Sequence, residues 1–98
     1  MLESLTHGSF ETLLGQRFEL SSEPASSCLE LICAEPLDSR GKAPGARQPF
    51  HLIFRGPREL VLAQRIYALT HSAFGVLEIF LVPIGPDQSG QCYEAVFA

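Results

Sequence analysis

Three cysteines, three histidines and eleven carboxylates are the side chains of this 98-residue sequence whose chemistry extends beyond packing. Cys28, Cys33 and Cys92 form an odd set without a C-x-x-C pair, which speaks against a disulfide framework or a structural zinc site and for a reducing, cytoplasmic compartment. Cysteines within strands behave as small buried hydrophobes. His7, His51 and His71 would make a metal site only if a helix, a strand and a turn brought them together, and nothing in their spacing requires it. Cys33, His51 and Asp38 are the one combination able to imitate a cysteine nucleophile with its base and orienting acid. Alternation, however, puts Cys33 on a face with Leu29 and Leu31 and sets His51 opposite Phe50, Leu52 and Phe54, so the two are expected on opposite sides of the sheet. Glu78 sits among Val76, Phe80 and Val82 and would acquire a raised pKa if buried; an outward carboxylate is the simpler expectation. No G-x-S-x-G, H-E-x-x-H, Walker or G-x-G-x-x-G pattern is present. The expectation is a non-enzyme with no catalytic residue, no metal and no cofactor.

Charge gives a second candidate. Arg40, Lys42, Arg47, Arg55 and Arg58 are five of the seven basic residues and no acid falls between them, although the net charge is -4. Such a segment is a candidate interaction patch for an acidic protein partner. Nucleic acid is disfavoured, because the rest of the chain sets eleven acids against Arg17 and Arg65 and would repel the same polymer.

The elements that must position these residues read as mainly β. The stretch from Gly75 to Pro83 reads as a central strand covered on both faces, with Leu77, Ile79 and Leu81 on one and Val76, Phe80 and Val82 on the other. Further strands are expected over 16–20, 28–35, 50–55, 65–70 and 91–97, each alternating and each bounded by Gly, Pro or Ser-rich turns. Leu5, Phe10, Leu13 and Leu14 predict one short helix over 5–15, capped by Thr6 or Ser9 and ended by Gly15. Residues 36–49 hold three prolines and three basic side chains and predict a mobile basic loop. The connections are too short for crossover helices, so the expectation is one domain over 1–98: a six-stranded antiparallel meander, either a small barrel or a two-layer sandwich, closed by the helix. No leader and no membrane-spanning run is expected.

Leu5-Thr6-His7 with Phe10 and Gly15, Pro49-Phe50 with Phe54-Arg55-Gly56-Pro57, Tyr67-x-Leu69-x-His71, and Glu78-x-Phe80-Leu81-Val82-Pro83 through Tyr93-Glu94-Ala95-Val96-Phe97 together resemble a bacterial domain-of-unknown-function family of about one hundred residues. That resemblance implies no activity. It implies an occurrence near genes for phage-tail-collar-like proteins, and hence an accessory or assembly role.

Two functions follow as expectations. The first is a non-enzymatic structural or protein-interaction module, accessory to a larger bacterial or phage-tail-like assembly, that docks a protein partner or a second copy through the surplus apolar face at Val76, Phe80 and Val82, extended by Tyr67, Leu69 or Ile53. The alternative is a small β-barrel that binds an apolar small molecule in its mouth beneath the helix.

Overall fold

Period-two alternation decides most of the chain. Along Phe50-His51-Leu52-Ile53-Phe54-Arg55-Gly56 buried and half-buried residues alternate without a break, as a strand with one dry face requires. The computed structural model describes residues 5–22, 25–38 and 47–98, without the side chains of residues 21, 22, 25 and 26. It contains a helix, α1 (His7–Glu11), and six strands: β1 (Arg17–Ser22), β2 (Ala25–Pro36), β3 (Phe50–Gly56), β4 (Arg65–His71), β5 (Gly75–Pro86) and β6 (Gln91–Phe97). Most of the expected basic loop, with Arg40 and Lys42, lies outside the described residues.

The strands close into a barrel in the order β1-β2-β3-β6-β5-β4, and every neighbouring pair is antiparallel. A barrel, not a sandwich, is therefore the architecture. Consecutive pairing holds within β1-β2-β3 and within β4-β5-β6 but not between them. β3 pairs with β6, and β4 lies on the opposite wall beside β1. The connection of residues 57–64 spans this gap. Six strands about 4.8 Å apart close on a ring of roughly 10–12 Å, whereas eight residues reach about 26 Å when extended, so the segment can strap across the barrel end without a crossover helix.

The interior is filled. Phe18, Leu31, Leu52, Phe54, Leu77, Ile79 and Leu81 are all at most 2% exposed, joined by Leu20, Leu29, Leu69 and Tyr93. α1 plugs one end with Phe10, whose ring lies 5.9, 5.2 and 5.6 Å from those of Phe50, Phe74 and Phe97. The helix is shorter than the expected 5–15. The Thr6 N–H bonds to the Ser9 hydroxyl at 3.0 Å at its start, while residues 12–15 leave it in turns and the Gly15 N–H is taken by the Leu31 carbonyl at 2.8 Å. Gly15 has the positive φ of 86° that its place at the end of this turn demands.

At the other end the strap is pinned by tyrosines. Tyr93 Oη accepts from the Leu62 N–H at 3.0 Å and donates to the Leu60 carbonyl at 3.1 Å, and Tyr67 donates to the Ala63 carbonyl at 2.6 Å. Tyr67 and Leu69 thus face the interior, 4% and 0% exposed, and do not extend the surplus face. Nor is β5 covered on both sides. Its outer residues Val76 and Phe80 remain 60% and 48% exposed, because a closed barrel has a single interior to fill.

Candidate functional site

A β-bulge rewrites the expected faces of β2. The register slips between Leu31 and Cys33, which pair with Phe54 and Ile53 in turn, so one extra residue shifts the phase of everything that follows. Leu29 and Leu31 point inward before the bulge; after it Ala34 points inward and Cys33 does not. The expectation that Cys33 and His51 lie on opposite sides of the sheet is therefore wrong.

The register sets out what meets at this place. Glu35 is paired directly with His51, and Cys33 with Ile53, which makes Cys33 a diagonal neighbour of His51 across β2 and β3. On the other flank Ile53 is paired with Glu94 of β6. His51 Nδ1 lies 2.7 Å from Glu94 Oε2, and its Nε2 lies 3.8 Å from Glu35 Oε1. The Cys33 sulfur, a Glu35 oxygen and a His51 ring nitrogen are all within 4.8 Å of one another. Burial first, and then the negative charge and hydrogen bonding of Glu35, push the Cys33 thiol up from its ordinary value. A cysteine nucleophile is activated by the opposite shift. Asp38 is not in the cluster; Glu35 and Glu94 take the acidic places. An outward C-x-E opposite a histidine is the signal in the sequence, but it is readable only once the bulge is known.

The other histidines stand apart. His7 Nε2 donates to the Ala34 carbonyl at 2.9 Å, and His71 Nε2 lies 2.7 Å from Gln16 Oε1 while its Nδ1 accepts from the Ala73 N–H at 3.0 Å.

Of the basic candidates, Arg40 and Lys42 lie outside the described residues, and the three described ones fall at two ends of the barrel. Arg47 lies at the helix-plugged end, donates to the Leu5 and Ala98 carbonyls at 2.7 and 2.8 Å, and sits over the rings of Phe50 and Phe97. Arg55 and Arg58 lie at the strapped end. Arg55 donates twice to Asp87 Oδ2, at 2.9 and 2.7 Å, and Arg58 donates to the Asp87 and Gln88 carbonyls at 2.8 Å each. Asp87 also accepts the Ser89 and Gly90 N–H groups at 2.8 and 2.9 Å. Arg55 chiefly, with these N–H groups, holds its carboxyl well below the usual carboxylate range. These arginines bind the fold's own oxygens and clamp the β5–β6 hairpin.

The outer apolar face survives, shifted in membership. Ile66 is paired with Phe80, and extending the Val82–Glu94 register of β5 and β6 sets Phe80 beside Val96. Ile66, Phe80 and Val96, 61%, 48% and 60% exposed, make one apolar row across three strands. With Glu78, Arg47 and Ala98 they line an open groove of about 300 Å³. Val76 extends the face along β5, and Val82 continues it half-buried. Glu78 stands exposed on this face.

No curated protein and no solved structure matches the chain. A family model described as "Domain of unknown function (DUF6916)" matches residues 5–97, nearly the whole length, and the chain belongs to that family.

Proposed function

We propose that the protein is a non-enzymatic interaction module that docks onto a larger protein through the outer face of β4, β5 and β6. The carrying observation is the exposed row Ile66, Phe80 and Val96 on a barrel whose interior is already full. A filled interior also supports this reading over an apolar ligand in the barrel mouth, where Phe10, Phe50 and Phe97 occupy the space.

Charge selects the kind of partner. The outward charges of β5 and β6 beside the row are Glu78 and Glu94; Arg47, which also lines the groove, is engaged by the Leu5 and Ala98 carbonyls and the rings of Phe50 and Phe97, and Arg65 stands over Tyr67 at the start of β4. A twofold contact centred on Phe80 would bring Glu78 towards its own copy, which is unfavourable. A surface with an apolar centre and a basic rim fits instead. An accessory place in a bacterial, tail-like assembly is the setting we infer for such a module.

A benzophenone amino acid in place of Ile66 tests the docking face by photo-crosslinking in extracts of the native host. Capture that weakens as salt is raised and disappears with Phe80→Asp supports the proposal. Phe80 is half-exposed, so this substitution is expected to leave the fold intact. Capture indifferent to Phe80→Asp refutes the face, and a wild-type dimer in sedimentation velocity that Phe80→Asp dissociates replaces the basic partner by a second copy.

A further inference from the structure

We propose that Cys33, Glu35 and His51 form a binding site for one divalent transition-metal ion of the zinc class, with the fourth coordination position open to solvent or to an external ligand. Three observations converge on it. The first is the donor set: one thiol, one imidazole and one carboxylate, the mixture that borderline-soft, tetrahedral Zn²⁺ accepts, whereas Mg²⁺ and Ca²⁺ prefer oxygen alone.

The second is spacing. Bonds of about 2.0–2.3 Å at tetrahedral angles put ligand atoms roughly 3.3–3.8 Å apart. The three donors already lie within 4.8 Å of one another, and His51 Nε2 is 3.8 Å from Glu35 Oε1. Closing the remainder takes about an ångström of movement. The Glu35–His51 distance is already in range, so that movement falls to the approach of the Cys33 sulfur, and Glu35, whose side chain is 69% exposed, can follow it.

The third is the support behind His51. Glu94 Oε2, 2.7 Å from Nδ1, is placed to accept the proton of that nitrogen, and in the neutral ring the Nε2 lone pair then faces Glu35. A carboxylate that fixes the tautomer of a histidine in this way is the usual outer partner of a metal-bound imidazole. Cys33 and Glu35 ride on β2, His51 on β3 and Glu94 on β6, so strand pairing holds the constellation in place before any ion arrives. On binding, the Cys33 sulfur loses its proton to solvent and the ion takes its place.

Titration of the reduced, chelator-treated protein with Co²⁺ tests the site. One equivalent is expected to produce a thiolate-to-cobalt charge-transfer band together with visible bands of four-coordinate intensity, and Zn²⁺ to bleach both. Cys33→Ser removes the charge-transfer band, His51→Gln weakens binding at least tenfold, and Glu94→Gln, which touches no ion, keeps the band and weakens binding roughly 10–100-fold. Cys28→Ser leaves everything unchanged. Zn²⁺ also raises the melting temperature of the wild type but not of Cys33→Ser, with circular dichroism confirming that each metal-free variant is folded. Absence of a thiolate band, its persistence in Cys33→Ser, or its loss in Cys28→Ser overturns the proposal.

Discussion

Removing one oxygen from Tyr93 tests the idea that the strap of residues 57–64 is what allows the barrel to close in the order observed. The Tyr93 ring is 1% exposed and its hydroxyl holds the strap at two points, the Leu62 N–H and the Leu60 carbonyl. Tyr93→Phe keeps the ring and leaves both backbone groups without this partner. Each lost hydrogen bond costs about 0.5–1.5 kcal/mol net, so the substitution should cost about 1–3 kcal/mol, or a fall of roughly 5–20 °C in Tm for a chain this short. Burial pushes the Tyr93 phenol up, so at neutral pH the hydroxyl is intact and only its removal is being measured. Tyr67→Phe, with one bond to Ala63, should cost about 0.5–1.5 kcal/mol. Both hydroxyls hold one segment, so the double variant should deviate from additivity. Urea melts of the four proteins decide the matter. A Tyr93→Phe midpoint within error of wild type would mean that Leu62, packed against the core, holds the strap by apolar contact alone.

Other outcomes follow from the same structure. Leu81 is fully buried, and Leu81→Ala should cost about 2–5 kcal/mol, read as a lower urea midpoint. A Cβ at Gly90 would run into the backbone carbonyl of Gly56, so Gly90→Ala should lower Tm by an amount that no side-chain rearrangement recovers. Asp87 has a depressed folded-state pKa, so its contribution is fully present above the ordinary carboxylate value of about 4 and is lost as pH falls through the folded value. Acid titration should therefore show wild type losing stability faster than Asp87→Asn below pH about 4, the two curves drawing together; parallel curves would show that the clamp on Arg55 contributes nothing.

The strands were legible because alternation and turn chemistry are local. Phe18 and Leu20, or Leu77, Ile79 and Leu81, announce a dry face by period two, and Pro86-Asp87 with Gly90 announces the hairpin that Asp87 then caps. What was not legible is non-local. No local feature of residues 57–64 says that they cross a barrel end rather than turn into a neighbouring strand, so a meander implies β4 and not β6 beside β3. No local feature at Ile32 announces a bulge, so alternation alone turns Cys33 inward, away from His51. The apolar outer residues of β5 imply a cover that the barrel does not supply, because composition records that a residue is apolar and not that anything lies over it.

The bulge links core to site through side-chain size. Near the plugged end the interior is crowded by Phe10, Phe50 and Phe97, the last two stacked 4.7 Å apart at 4°. Here β2 offers Ala34 inward, paired with Leu52, the smallest side chain that keeps the wall apolar. Strict alternation from Leu29 and Leu31 would instead have turned Cys33 and Glu35 inward, and Glu35 would have brought a buried carboxylate among phenyl rings, a costly arrangement without a partner. Slipping the register at the bulge avoids that cost. It also places Cys33 and Glu35 outside, against His51, which is itself paired with Val96 of the apolar row. Thus the step that keeps charge out of the barrel sets the proposed ligand cluster and the exposed apolar row side by side on its outer wall.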